Sequence, residues 1–149
     1  MARIRKAWRV SVEDYDVDSC YFAPNAGKAR MACWRQMDRE RGMIIHIKAR
    51  RWREKDQELP ERNPIADTLS EKETSSILHA FGFNEYEPWR SGYRDHYFTS
   101  ANNETMLSLV EKGLMHSGKP PCWKDTNVYF HLTDLGKNVA LSLVPEYAQ

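Results

Sequence analysis

At 149 residues the chain has the length of one domain, and 41% hydrophobic with 29% charged residues excludes wholesale disorder and a fibrous protein. No apolar run approaches the roughly 20 residues of a membrane span, and residues 1–9 are basic without the apolar segment of a signal peptide, so a cytoplasmic protein with no membrane partner is expected. The net charge of +1 hides an asymmetry: residues 1–75 hold 16 basic and 13 acidic side chains, whereas residues 76–149 hold 6 and 8.

Residues 3–10, RIRKAWRV, place Ile4, Trp8 and Val10 on one face of a strand, with Arg3, Arg5 and Arg9 largely opposite. A polar turn at 11–14 leads to a second strand candidate over 15–22, and the two fit a hairpin. Asn25 is a candidate N-cap for a helix over residues 26–40, because its short side chain can accept from an unpaired backbone N–H. Ala26, Ala29, Cys33 and Met37 form that helix's inner stripe, Lys28, Arg35 and Arg39 lie away from it, and Gly42 supplies an exit. Residues 43–52 read as a third strand, with Met43, Ile45, Ile47 and Ala49 on one face and Ile44, His46, Lys48 and Arg50 on the other.

Residues 53–68 are polar, contain Pro60 and Pro64, and read as a surface linker. Ser70 followed by Glu73 matches a capping box and opens a helix through Ala80 that buries Ile77 and Leu78. Residues 82–92 read as irregular with aromatic anchors, and Tyr97 and Phe98 as the start of a further packed element. A cap at Asn102 or Asn103 precedes a helix near 103–112 with Met106, Leu107 and Val110 inward, and Leu114 packs beyond Gly113. After a loop over 116–126 comes a strand at 128–132 with Val128 and Phe130 on one face and Tyr129 and His131 on the other. Thr133 then caps a last helix whose inner residues are Leu135, Val139, Ala140 and Leu143, with Gly136 permitting close packing.

LSLVEKGLM at 107–115 followed by VYFHLTDLGKNVA at 128–140 resembles the end of winged-helix domains, particularly MarR-like regulators. The resemblance implies that the helix before GLM enters a DNA groove and that the following strands and loop form a wing, with Lys119 and Lys124 near phosphates. It covers about 40 of the 149 residues. The helix near 103–112 departs from it, since Glu104 and Glu111 stand against Lys112 alone and recognition helices normally carry donors for phosphate or guanine edges. Taken whole, with YFAPNAGKAR at 21–30, YRDHYFTS at 93–100 and YFHLTDLGK at 129–137, the chain resembles small accessory proteins of bacterial viruses, which implies a bacterial host cell as its setting.

The strongest interaction signal lies between positions 28 and 53, where nine basic residues meet only Asp38 and Glu40. Lys28, Arg30, Arg35, Arg39 and Arg41 would join Lys48, Arg50, Arg51 and Arg53 in one patch if the helix and the next strand share a surface. Guanidinium groups suit phosphates and carboxylates, so the partner is nucleic acid or an acidic protein, with Trp34 and Trp52 as candidate stacking surfaces. A solubilising face with core tryptophans is the plain alternative.

Chemistry is less visible. Cys20, Cys33 and Cys122 have no metal or disulfide spacing and read as buried free thiols. His79, His96, His116 and His131 fall on separate elements without a metal-binding motif. His96 beside Asp95 is the one acid–base candidate. Asp14, Asp16 and Asp18 lack the pattern of an EF-hand, so no cofactor or metal is expected.

The sequence therefore predicts an α+β protein. A small mixed N-terminal sheet with a packed helix (residues 1–56) joins a winged-helix-like C-terminal portion (70–149) within a single compact domain. Its expected role is that of a non-enzymatic, nucleic-acid-associated regulatory or accessory protein. The alternative is a bacteriophage-encoded interaction module that inhibits or adapts an acidic host or viral protein. Exposed apolar surface would serve partner binding or homo-oligomer formation.

Overall fold

The computed structural model describes residues 2–13, 15–16, 18–37 and 45–148. The chain divides into two compact units, Ala2–Leu59 and a second beginning at Pro60. Among the described residues the fold is α+β with four α-helices and small sheets.

In the first unit the extended run predicted over 3–10 is two strands, β1 (Arg3–Arg5) and β2 (Ala7–Val12), divided at Lys6. β2 is the central strand of a three-stranded sheet, with β3 (Ser19–Phe22) on one side and β4 (Ile47–Arg51) on the other. Both pairings are antiparallel, so this sheet is not the mixed one expected from the sequence. β1 pairs instead with β5 (Gln57–Leu59), also antiparallel, which turns part of the predicted linker into a strand. A short 3-10 turn at Arg53–Lys55 leads from β4 into β5.

Helix α1 (Ala26–Gln36) begins where the Asn25 side chain accepts from the Lys28 amide at 2.9 Å. Ala29 and Cys33, one helical turn apart, are buried with Val10, Ala23 and Ile47, and Trp8, Val12, Tyr21, Trp34, Met37 and Ala49 pack around them. Met37 caps the helix; residues 38–40, the Gly42 exit and the predicted strand start at Met43 and Ile44 lie outside the described residues. Ile45, placed by alternation with Ile47, is 71% exposed because β4 begins only at Ile47.

The second unit packs its helices on one face of an antiparallel sheet ordered β6 (His96–Ser100), β8 (Asn127–Leu132), β7 (Met115–Ser117). Helix α2 (Glu71–Phe81) has the predicted capping box in full, and its last turn closes on Gly82 in the left-handed conformation at φ 75°. Helix α3 (Glu104–Glu111) starts at Asn103, whose side chain accepts from the Met106 amide at 3.1 Å. Helix α4 (Asp134–Leu143) starts at Thr133, whose hydroxyl accepts from the Gly136 amide at 3.0 Å. Ile77, Met106, Leu109, Leu114, Phe130, Val139 and Val144 form the centre of the core.

Two helix faces differ from expectation. Leu107 and Leu135 point outward at 42% and 41% exposure, and Leu109 takes the inner place on α3. Both outward leucines follow shortly after a cap, where the direction of chain entry sets the phase of the helix and the apolar spacing alone does not. Gly136 justifies its position: a Cβ there would meet the Leu114 carbonyl oxygen at 2.0 Å, so the backbone of α4 lies directly on the segment after α3. A buried carboxylate also ties α2 to α3. Glu73 accepts from Lys112 Nζ at 2.8 and 2.9 Å and from Ser108 Oγ at 2.5 Å, in addition to its capping bond with the Ser70 amide.

Candidate nucleic-acid interface

In an antiparallel sheet, residues paired across strands share a face and the next residue along takes the other. The registers Trp8↔Arg51, Val10↔Ala49 and Val12↔Ile47 therefore define one side, and the buried Val10 and Ile47 put α1 against it. Arg9↔Arg50 and Ser11↔Lys48 define the opposite, open side. Arg9, Lys48 and Arg50 are exposed there.

Continuing the alternation, Trp52 follows Lys48 and Arg50 onto the open side. The Arg9 guanidinium lies 4.3 Å from the Trp52 ring centroid and Lys55 Nζ lies 5.6 Å from it. Both separations fall within cation–π range, so the indole holds two cations in place. Acidic groups near this side include Asp18, with Oδ2 3.7 Å from Arg9 Nε, and Glu13. Glu13 is engaged by His46 at 2.6 Å; its carboxyl is held below the usual range by the hydrogen bond and charge of His46, with a smaller contribution from Lys48.

The expected basic set is thus divided. Lys28 and Arg35 are exposed on α1, and Arg30 is half-buried there, across the sheet from Lys48 and Arg50. One surface shared by helix and strand does not form, because strand alternation turns Lys48 and Arg50 away from the helix. Arg39 and Arg41 lie outside the described residues. Arg51 is committed internally: it donates to Asp56 at 2.6 and 2.5 Å and to the Ala7 carbonyl at 2.8 Å. That hydrogen bonding, against an opposing effect of burial and with help from the Ala7 amide, lowers the Asp56 carboxyl. Arg53 is exposed in the turn after β4.

Neither candidate stacking ring is open. Trp34 packs against the cluster under α1, and Trp52 carries Arg9 over its face. The sequence pattern places Arg9 on a strand face but outside the expected basic set; only the pairing of β2 with β4 brings it beside Arg50.

In the second unit Lys119 and Lys124 are exposed in the loop between β7 and β8. Trp123 beside them is 87% exposed, with Lys124 Nζ 4.8 Å from its ring. A tryptophan inside the PPCWK stretch was the available signal for it. The histidines on separate elements converge: the registers His96↔His131 and His116↔His131 put three imidazoles side by side on the sheet face away from the helices. Asp95 Oδ1 lies 3.6 Å from His96 Nδ1 and 3.8 Å from His131 Nδ1, and its Oδ2 lies 3.8 Å from Lys137 Nζ. This group sits on the sheet face away from the helices. Among the described residues no set of three His, Cys, Asp or Glu side chains is arranged to hold a metal ion.

Cys33 is buried as expected, but Cys20, paired with Arg9, and Cys122 are exposed. Among the described residues no helix is long and apolar enough to cross a membrane. No protein-family model, curated protein or solved structure matches the chain.

Proposed function

We propose that the first unit binds the phosphate backbone of nucleic acid through the open face of its three-stranded sheet. The observation that carries this reading is the Arg9–Arg50 pair with Arg9 set over Trp52, flanked by Lys48 and Lys55, on a side that α1 leaves bare. Phosphate contacts give affinity without sequence choice, and a face whose Trp52 ring is already occupied by a cation suits that role. The protein then acts as an accessory or regulatory factor, and not through a bond-making step.

The second unit supports a winged-helix reading in its strand order β6-β8-β7 and in the passage from α3 into the β7–β8 hairpin. It offers α3 little as a reader of bases, because Lys112, the helix's C-cap and its one cation, is held by Glu73. The wing lysines Lys119 and Lys124 are exposed and placed for phosphate contact.

The test is binding of a 20-base-pair duplex as salt rises from 50 to 200 mM. Four phosphate contacts from Arg9, Lys48, Arg50 and Lys55 correspond to a slope of about −3.6 in log K against log salt, or a loss of about 150-fold over that range. Replacing Arg9, Lys48 and Arg50 together by glutamine brings the slope to about −0.9. Replacing Lys28 and Arg35 leaves it unchanged. Equal losses from both variants would overturn the assignment to the sheet face, and capture of an acidic protein with no duplex binding would replace it with a protein partner.

A further inference from the structure

We infer that the outer face of the β6-β8-β7 sheet is a stacking platform for unpaired bases of single-stranded nucleic acid, a site separate from the cationic face of the first unit. Five ring side chains share this face across all three strands: His96 and Phe98 from β6, Tyr129 and His131 from β8, and His116 from β7. The helices occupy the other side, where Val128, Phe130 and Leu132 are buried, so the rings are not core residues. Phe98 and Tyr129 are 42% and 37% exposed.

The rings form a connected layer. Phe98 and Tyr129 centroids lie 4.7 Å apart, Tyr129 and His96 5.5 Å, and His116 and His131 5.4 Å in a stacked arrangement with planes 22° apart. An antiparallel sheet presenting adjacent rings is the surface on which successive bases stack, since every base has a π-face whatever its identity.

Charge selects this occupant over an apolar one. Lys137 stands beside the rings, the loop that begins against His131 at Gly118 carries Lys119 and Lys124, and the acids are Asp95, within 4 Å of two imidazoles and Lys137, and Asp125. A dry protein interface would bury the imidazoles, Asp95 and Lys137 together, against the depletion of charge at interface centres. A strand of unpaired nucleotides instead leaves its phosphates at the lysine-bearing edges. Trp123, exposed on the same loop, extends the supply of rings.

Fluorescence anisotropy with labelled dT20, rU20 and the 20-base-pair duplex tests this on the full chain. The Phe98→Ala/Tyr129→Ala variant should bind dT20 at least about tenfold more weakly while duplex binding holds. Tyr129→Phe should retain the affinity of the parent, because it keeps the ring. The ratio of dT20 to rU20 affinity identifies which strand the platform takes. Melting curves check the fold, and Phe98→Thr, which keeps a strand-forming side chain, carries the comparison if the double variant melts early. Unchanged binding of both dT20 and rU20 in the ring variant, or no binding of either strand by the parent protein at 50 mM salt, overturns the inference. The Arg9/Lys48/Arg50 variant separates the two readings: it should lose duplex binding, and ring-dependent dT20 binding that survives it supports the platform whatever becomes of the cationic face.

Discussion

Replacing Lys112 by methionine should weaken the second unit by about 3 kcal/mol at neutral pH, the bottom of the range for breaking a buried ion pair, since Lys112 is itself 32% exposed. Methionine keeps the side chain's apolar stem and removes only the ammonium. Glu73 is 7% exposed at its side chain. Burial works against its ionisation, but hydrogen bonds from Lys112, Ser108 and the Ser70 amide outweigh burial and bring the carboxyl down from 4.5 to about 2. At about 1.36 kcal/mol for each factor of ten, that depression corresponds to about 3 kcal/mol of stability. Because the folded value lies below the unfolded one, the unfolded chain binds the proton first. The stabilisation is therefore complete above the unfolded value near 4.5 and drains away as pH falls through about 2. Without Lys112 the carboxylate keeps its burial and loses its main partner, so its folded value climbs and the acid dependence flattens. Urea titrations followed by circular dichroism between pH 2 and 7 measure this for parent and variant. A stability difference that stays constant across the range would show that the ammonium does not hold Glu73 ionised, and the argument would fail.

Four substitutions separate structural from binding roles. Gly136→Ala should cost more than about 3 kcal/mol or prevent folding of the second unit, read by calorimetry, because its Cβ would lie 2.0 Å from a backbone oxygen that cannot swing aside. Gly82→Ala should cost only about 1–2 kcal/mol, the penalty of a left-handed residue, since the atoms its Cβ meets belong to the Tyr93 ring, which is 75% exposed and free to turn. Arg50→Gln should weaken duplex binding with little change in melting temperature, whereas its neighbour Arg51→Gln should lower the melting temperature and leave the salt slope unchanged, because Asp56 and Ala7 already occupy its donors. A reversal of that last pair in melting and binding assays would place the wrong arginine at the surface.

The helices were legible in the sequence because each begins with a side chain that acts locally. Asn25, Ser70, Asn103 and Thr133 all accept from a backbone amide three residues on, and such bonds need no distant partner. The strands were less legible at their ends. β5 is a three-residue strand, two of its residues polar, made regular by pairing with β1, and nothing within Gln57–Leu59 announces a partner more than fifty positions away. The same limit applied to the site. Alternation along residues 43–52 correctly separated Lys48 and Arg50 from Ile47 and Ala49, but which side α1 would cover depends on packing, and that decided which cations could act together. The imidazole face was hidden for a related reason: His96, His116 and His131 are distant in sequence and become neighbours only through strand register.

The division of the first extended segment at Lys6 bears on local opening of the chain. Ala7, the residue after the break, is fully buried, and both its peptide groups are claimed from afar: the amide donates to Asp56 Oδ1 at 2.9 Å and the carbonyl accepts from the Arg51 side chain and from the Trp52 amide. A strand terminus ordinarily frays and trades its amide proton with water quickly. Here the corner is clamped by the segment just beyond β4, so deuterium should enter the Ala7 amide slowly, at a rate matching the interior of β2, and Asp56→Ala should accelerate that exchange before it affects the opposite end of the strand.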